Sequence, residues 1–152
     1  MHLWRICRQR YVAAAASGEG ARLYGGRWNS RGVGVVYAST SLALAAIETF
    51  VHLEPNLRPP DLVSIQGEIP DTLQVGKLDL APLPPKWHST RDEALQRFGD
   101  EWVHAGQTVA LLVPSAAIRG EWNLLLNPAH RDFRKVKFHD PEPFEFDLRM
   151  FR

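Results

Sequence analysis

A glycine-rich segment near the amino terminus contains residue types that suit phosphate binding. It reads Gly25-Gly26-Arg27-Trp28-Asn29. Two adjacent glycines let the backbone approach a ligand closely, and a guanidinium can donate two hydrogen bonds to phosphate oxygens. The alternative is a glycine-rich turn that carries a solvated arginine, and spacing alone favours this simpler interpretation.

A carboxylate at position 48 is the second candidate for chemistry. Tyr37 ends a predicted strand, and hydroxyls at Ser39, Thr40 and Ser41 can cap the helix that follows. Glu48 lies about two turns into this helix. Three of its four helical neighbours are apolar, the four being Leu44, Ala45, Val51 and His52.

This setting allows two interpretations of Glu48. A lone carboxylate on the buried side of a helix is unfavourable unless it is paired or functional. The alternative is an ordinary Glu48–His52 pair at the helix edge, and the residues alone do not choose between them.

Polar residues also follow two further predicted strands. Ser115 comes after an apolar run, and Asn127 precedes Pro128, with His130 close behind. Polar groups at strand ends can line a pocket. Equally, Asn127-Pro128 is explained as a turn and His130 as a surface residue.

Several common signatures are absent from the sequence. It contains no Walker-type phosphate loop, no GxSxG elbow and no Cys/His set at zinc spacing. The histidines at 52, 104, 130 and 139 are too scattered to predict a metal site. We therefore expect no metal ion and no separate cofactor.

The elements that position these residues follow from hydrophobic periodicity. Apolar or alternating runs predict strands at 2–7, 33–37, 62–69, 108–113 and 123–126, with a shorter one within 73–80. Helices are predicted at 42–52 and 91–104, the second beginning in a Thr90/Glu93 capping box and ending at Gly106. Residues 8–34 predict a long ordered ligand loop, and residues 133–138 and 144–148 a closing hairpin. We expect one α+β domain over residues 1–152, with flanking helices on a central mixed or antiparallel sheet.

Composition limits the class of protein. The chain has 152 residues, of which 45% are hydrophobic and 23% charged, as expected for one globular domain. A net charge of +1 disfavours direct binding to nucleic acid. One cysteine, Cys7, excludes an internal disulfide and suits a reducing compartment. No apolar run approaches the about 20 residues that span a bilayer, so we expect a cytoplasmic protein without membrane contact.

Taken together, the motifs resemble the RES-domain family, the toxins of Xre–RES toxin–antitoxin systems. The matching segments are Gly18-x-Gly20-Ala21, GGRWNSRGVGVVYASTSLALAAIE at 25–48, VPS at 113–115 and NLLLNPAH at 123–130. The family takes its name from an arginine, a glutamate and a serine. The resemblance maps these onto Arg27, Glu48 and Ser115, with Ser39 as the alternative serine.

The resemblance implies an ADP-ribosyltransferase-like fold and an enzyme that degrades NAD, with NAD as substrate. It implies a partner, an Xre-type helix-turn-helix antitoxin, through which any DNA contact would be made. The acceptor of the ADP-ribosyl group stays open among water, phosphate and a protein side chain. A non-catalytic module that binds a phosphorylated ligand is the alternative from another class.

On this basis each candidate residue receives an expected role. Glu48 is expected to bind the ribose and stabilise its developing positive charge, and Arg27 to bind the pyrophosphate. Tyr37 is expected to stack on the nicotinamide. The remaining candidates for substrate binding are Tyr24, Gly25, Gly26, Trp28, Ser39, Ser115 and Asn127.

Overall fold

A mixed sheet of eight strands forms the centre of the computed structural model, which describes residues 1–152. The strands are β1 (His2–Arg8), β2 (Val36–Ser39), β3 (Leu62–Glu68), β4 (Val75–Lys77), β5 (Ala110–Pro114), β6 (Trp122–Leu126), β7 (Lys137–Phe138) and β8 (Glu142–Pro143). Their order is β4-β5-β6-β2-β1-β3-β7, and β8 also pairs with β3. Only β4 and β5 run parallel. The predicted α+β class and mixed sheet are confirmed.

Both faces of the sheet are buried, which explains the nearly continuous apolar run in β6. Successive side chains of a strand point to opposite faces. Leu124 and Leu126 belong to one hydrophobic cluster with Leu3, whereas Leu125 belongs to a second cluster with Trp28. The second cluster lies on the side of the sheet that carries the candidate site.

Three α-helices accompany the sheet: α1 (Glu19–Tyr24), α2 (Leu42–Phe50) and α3 (Glu93–Ala105). Ser41 caps α2, because its hydroxyl accepts a 3.1 Å hydrogen bond from the Leu44 N–H. No helix of the chain has the length and apolar character that crossing a bilayer requires.

The predicted cap of α3 is wrong. Asp92, not Thr90, is the N-cap, and its carboxylate accepts from the Leu95 N–H at 3.0 Å. Thr90 instead has extended backbone and gives its carbonyl to Arg27. The end of the helix is as predicted, since Gly106 adopts a left-handed φ of 58° there.

The segment 8–34 is ordered, but it is not one long loop. A 3₁₀ turn at Gln9–Ala14 and the short helix α1 divide it. Asn29, which is 0% exposed, ties the rest together by donating to the carbonyls of Ala21 (2.8 Å) and Val33 (3.0 Å). Its side chain replaces the backbone pairing that the segment lacks.

The predicted closing hairpin is also wrong. Residues Phe133–Lys135 form a 3₁₀ turn, and β7 and β8 each pair with β3 rather than with each other. Leu148–Phe151 is a second 3₁₀ turn. The apolar alternation there reflects phenylalanines that pack on the end of α2, where Phe146 and Phe151 meet the Phe50 ring.

A divergence of two central strands creates space for the site. β1 pairs with β3 along its whole length, but with β2 only where Trp4 meets Ser39. The carboxyl-terminal part of β1 therefore separates from β2. Helix α2 contacts both strands, which places Glu48 beside this opening.

Candidate active site

The opening between β1 and β2 continues into the main cavity of the protein, which has a volume of about 720 Å³. Its walls come from β1, α1, the glycine-rich loop, β2, α2, the segment before α3 and the end of β5. Seven predicted residues of the first two motifs line it together, namely Gly25, Gly26, Arg27, Trp28, Tyr37, Ser39 and Glu48. Segments distant in sequence thus meet at one concave site.

Glu48 is half-buried, and two donors fix one of its carboxylate oxygens. Its Oε1 accepts a 2.6 Å hydrogen bond from the Ser115 hydroxyl and another of 2.6 Å from the Asn123 side-chain amide. The other oxygen, Oε2, has no protein donor, so it is free for a ligand in the cavity. The alternative Glu48–His52 pair does not form, because Glu48 is bound to these two groups instead.

Ser115 lies behind Glu48 rather than in the cavity wall. It is 2% exposed, and its hydroxyl accepts from the N–H groups of Ala117 (3.2 Å) and Ile118 (3.0 Å). Those two donors leave the hydroxyl proton directed at Glu48. Ser115 was predicted to bind substrate; the structure places it outside the cavity wall, in contact with Glu48.

Ser39 contacts Glu48 only indirectly, through Asn123. It lines the cavity, and its hydroxyl donates to the Asn123 side-chain oxygen at 2.7 Å. This bond orients the Asn123 amide so that its nitrogen faces Glu48. Both candidate serines thus belong to one network, but only Ser115 touches the carboxylate.

Asn123 contacts Glu48 in the cavity wall, and the sequence analysis did not predict it as a site residue. It stands at the start of β6, opposite Ser39 and Val113 in the neighbouring strands, and it lines the cavity. Asn123 is the one polar residue in the apolar run Trp122–Leu126. Because a buried amide needs hydrogen-bond partners, this position could have been predicted to belong to a polar site. The sequence alone did not identify those partners.

Arg27 is anchored to the segment that precedes α3. Its Nη1 donates to the carbonyls of Trp87 (3.0 Å) and Thr90. Burial and the nearby Arg91 lower the pKa of Arg27, whereas the charge of Glu48 acts to raise it. Arg27 belongs to no ion pair, so its charge is available to an anionic ligand.

The two glycines before Arg27 are required for different reasons, Gly25 by its backbone angle and Gly26 by close packing against Tyr37. Gly25 has a left-handed φ of 71° at the end of α1. A Cβ atom on Gly26 would lie only 2.5 Å from the Tyr37 hydroxyl oxygen. The predicted access for a ligand and this packing requirement both explain the absence of side chains here.

Tyr37 contributes its ring to the cavity wall while its hydroxyl is anchored. The hydroxyl donates to the Asn29 side-chain oxygen at 2.7 Å and accepts from the Trp28 N–H at 3.0 Å. Burial raises the pKa of Tyr37 well above its usual value. The residue is therefore a neutral, rigid aromatic surface rather than an acid or base.

The remaining predicted residues divide between the rim and the core. Tyr24 is 77% exposed at the cavity edge. Trp28 is 3% exposed and packs against Trp87, with 5.7 Å between ring centres, so its role is largely structural. Asn127 is not a cavity residue: it is 2% exposed and accepts from the Ala129 N–H within its turn.

The charged side chains of the site suit electrostatic interactions with a ligand. No group of three or more His, Cys, Asp or Glu side chains is placed to hold a metal ion. A fixed carboxylate with one free oxygen can accept from hydroxyls and stabilise positive charge. A guanidinium in the same cavity can bind phosphate.

Comparison with solved structures shows which class of fold this is. The Mycobacterium tuberculosis MbcT–MbcA toxin–antitoxin complex contains a chain that superposes with a TM-score of 0.74 at 17% identity. The match covers 99% of this chain and 86% of the other. The α+β architecture is thus that of a toxin whose crystal structure was solved with its antitoxin.

Sequence comparisons identify the family. The RES domain family matches residues 2–147. The Prs ADP-ribosylating toxin of Sphingobium sp. is 38% identical over 154 residues, covering 98% of this chain and 96% of that relative. Toxin Res of Yersinia enterocolitica is 37% identical over 152 residues, covering 99% of each. The chain belongs to the RES domain family, as a toxin of the toxin–antitoxin kind.

Proposed function

We propose that this protein cleaves NAD at the bond between nicotinamide and ribose. The observation that carries the proposal is the carboxylate of Glu48, held by Ser115 and Asn123 through one oxygen and free at the other. This free oxygen lies in a cavity that also presents the unpaired charge of Arg27. A volume of about 720 Å³ is adequate for a ligand of dinucleotide size.

The chemistry of NAD needs one carboxylate rather than two. Ordinary glycosidases use a second carboxyl group to protonate the departing oxygen. The nicotinamide of NAD is already cationic and leaves as a neutral base with the bonding electron pair, so no proton donor is required. Positive charge then develops on the ribose, and the Glu48 carboxylate stabilises it electrostatically.

Two other residues place the substrate against Glu48. The Trp87 and Thr90 carbonyls orient the Arg27 guanidinium, whose remaining donors bind the pyrophosphate. The Tyr37 ring stacks on the cationic nicotinamide, an attraction of about 1 kcal/mol. This attraction weakens as the positive charge leaves the ring, so Tyr37 contributes to orientation more than to barrier lowering.

The acceptor of the ADP-ribosyl group defines three candidate activities. Transfer to water gives ADP-ribose, nicotinamide and a proton, and transfer to inorganic phosphate gives the phosphorylated sugar. Transfer to a protein side chain is the third candidate, and the name of the Sphingobium relative, Prs ADP-ribosylating toxin, supports it. All of these begin with the same bond cleavage at Glu48.

As a toxin, the protein needs an inhibitor in its own cell. We infer that this partner is an Xre-type helix-turn-helix antitoxin and that DNA is contacted through the antitoxin. The solved toxin–antitoxin complex of similar fold and the net charge of +1 support this arrangement. Growth arrest on expression should be relieved by co-expressing that partner, and arrest that persists would contradict the inference.

Nicotinamide release by the purified protein tests the proposed reaction. Glu48→Gln keeps the shape and one acceptor oxygen but removes the charge, so we expect a rate at least about 100-fold lower. Glu101→Gln, at an exposed position of α3, is the matched control and should retain full activity. Thermal unfolding of each variant establishes that the fold is intact.

The outcomes separate the candidates. Near-normal nicotinamide release by Glu48→Gln rejects the assigned role of the carboxylate. Mass spectrometry of the products, with and without phosphate, distinguishes hydrolysis from phosphorolysis. A mass increase of one ADP-ribosyl group on an added protein identifies the transferase. If no nicotinamide is released after any bound antitoxin has been removed, the protein does not cleave NAD. The remaining candidate is then a non-catalytic module that binds a phosphorylated ligand.

A further inference from the structure

Hydrolysis of NAD in this cavity would release a proton that none of the residues described so far can accept. When water attacks the ribose carbon C1′, its oxygen forms the new bond and one of its protons has to leave. Glu48 cannot take this proton without losing the negative charge that stabilises the ribose. The Tyr37 hydroxyl already carries a proton, which it donates to the Asn29 side chain. A separate basic group that faces the cavity can accept it.

Two histidines line the cavity, His52 and His88. Histidine is the side chain that ordinarily exchanges a proton between pH 5 and 8, and a neutral imidazole has one nitrogen that can accept. In His88 this nitrogen is occupied, because Nε2 accepts a 3.3 Å hydrogen bond from the Arg119 guanidinium. A proton on Nε2 would break this contact and place a second positive charge beside Arg119. His88 is therefore poorly suited to act as a base.

His52 is the one histidine of the chain whose ring has no partner. The chain has six histidines. The rings at positions 2, 88, 104 and 130 form hydrogen bonds, and the ring of His139 lies 3.6 Å from the Glu68 carboxylate. The accepting nitrogen of His52 is therefore free. His52 is also exposed where it lines the cavity, so a proton taken up inside can pass on to solvent.

The end of α2 places His52 on the same side of the helix as Glu48. The turn continues past the last residue of α2, because the His52 N–H donates to the Thr49 carbonyl at 3.1 Å. Side chains four residues apart are neighbours on one helix face. Both side chains line the cavity, so His52 lies about one helical turn from the carboxylate that binds the ribose.

The charges around His52 are compatible with a proton on its ring. The negative end of the α2 dipole and the Glu48 carboxylate are both close to it along the helix. On the neighbouring elements, the charged cavity residues are Arg5 in β1 and Glu19 in α1. Arg5 is held by the Tyr37 carbonyl, and Glu19 is paired with Arg22.

We infer that His52 is the general base of the reaction and removes a proton from the water that attacks the ribose. This inference rests on the proposed function, and it assigns water as the acceptor. The bond between C1′ and the nicotinamide nitrogen breaks, and its electron pair leaves with nicotinamide. The water oxygen bonds to C1′, and the proton passes to the free ring nitrogen of His52 and then to solvent. The products are ADP-ribose, nicotinamide and a proton.

Competition between water and azide tests this role. Azide attacks C1′ as an anion and has no proton to lose, so only the reaction with water needs a base. We expect His52→Gln to lower the ratio of ADP-ribose to ADP-ribosyl azide by about 10-fold or more, measured by chromatography of the products formed from NAD. His88→Gln, at the cavity histidine whose accepting nitrogen is occupied, is the matched control and should give the wild-type ratio.

The pH dependence of ADP-ribose formation is the second measurement. As the pH falls from 8 to 5, an imidazole gains a proton and can no longer act as a base. We expect ADP-ribose formation by the wild type to fall over this interval. In His52→Gln the rate should be lower at pH 8 and should change less, because the variant has no base to protonate at this position.

An unchanged product ratio in His52→Gln would overturn the inference, even if both products decrease, because His52 would then only support the position of Glu48. Cleavage of NAD by the wild type without formation of ADP-ribose would also overturn it. If no azide adduct forms, the pH profiles decide, and the same profile for wild type and His52→Gln rejects the role of His52. Nicotinamide release separates the two claims. No release by the wild type refutes the proposed function and this inference together, whereas release with a ratio independent of His52 refutes this inference alone.

Discussion

Glu48 has a fixed geometry because two donors converge on a single oxygen. Ser115 and Asn123 both bind Oε1 at 2.6 Å, and each is itself held, by backbone N–H groups and by Ser39 respectively. Such preorganisation means that the carboxylate needs no reorientation when charge develops on a substrate. At the residue scale, the site is therefore a supported carboxylate rather than a mobile acid.

The anchored hydroxyl of Tyr37 predicts a pH-dependent stability. Burial raises the pKa of Tyr37 in the folded state, so the folded protein holds this proton more firmly than the unfolded chain. The resulting stability is full below about pH 10, the unfolded value, and is lost as pH rises above it. We expect the wild type to lose about 1 kcal/mol more than Tyr37→Phe between pH 10 and 11, measured by urea unfolding.

The same variant has an expected effect at neutral pH. Tyr37→Phe leaves the Asn29 oxygen and the Trp28 N–H without their partner, so it should destabilise the protein by about 1–3 kcal/mol. Tyr24→Phe, at a tyrosine that is 77% exposed, is the matched control. It should change neither the stability at neutral pH nor the loss of stability between pH 10 and 11. If the free energy of unfolding depends on pH in the same way for the wild type and Tyr37→Phe, the raised pKa of Tyr37 is contradicted.

At the scale of elements, α3 holds the loop that carries Arg27. Asp100 accepts from the Ser30 N–H at 2.9 Å and from the Ser30 hydroxyl at 2.6 Å. The helix approaches the loop so closely that a Cβ atom on Gly99 would lie 1.8 Å from the Trp28 carbonyl oxygen. Gly99 is therefore required by packing, not by an unusual backbone angle.

This contact predicts opposite effects for two helical glycines. Gly99→Ala should push α3 away from the loop and destabilise the protein by about 1–3 kcal/mol or more, with loss of nicotinamide release. Gly20→Ala in α1, where an added Cβ meets nothing within 4 Å, should be neutral or stabilise by up to about 1 kcal/mol. Chemical unfolding curves measure the stability of both variants. If Gly99→Ala is as stable as Gly20→Ala, α3 can shift away from the loop without loss of stability.

At the scale of the molecule, the cavity is built by segments that are far apart in the sequence. Its lining runs from Trp4 to Asn123 and includes strands, helices and loops. A ligand that fills it contacts the folded state only, so binding must stabilise the whole domain against unfolding.

The stabilisation of the domain by a bound ligand can be measured with ADP-ribose, a product that cannot be cleaved again at the same bond. At about 100 times its dissociation constant it should raise the free energy of unfolding by about 2.7 kcal/mol and shift a single cooperative transition to higher urea concentration. Arg27→Gln should show a much smaller shift at the same ligand concentration. An unchanged midpoint for the wild type would mean that this cavity is not the dinucleotide site.

Much of this architecture could be predicted from local patterns. The five longer strands follow from apolar runs, and α2 from its alanine-rich stretch with Ser41 as cap. The prediction that Arg27, Tyr37 and Glu48 share one site came from the family resemblance, and all three line the cavity. Errors occurred where one pattern has two explanations, as at Thr90 and Asp92, or where alternating phenylalanines pack on α2 instead of pairing as strands.

The sequence by itself determined the class of fold, the family and the principal charged residues, because periodicity and short motifs record local burial and backbone geometry. Only the tertiary structure decided which groups meet. Glu48 contacts Ser115 and Asn123, which lie 67 and 75 positions away along the chain. Hydrogen bonds depend on distances of a few ångströms in space, which separation along the chain does not encode.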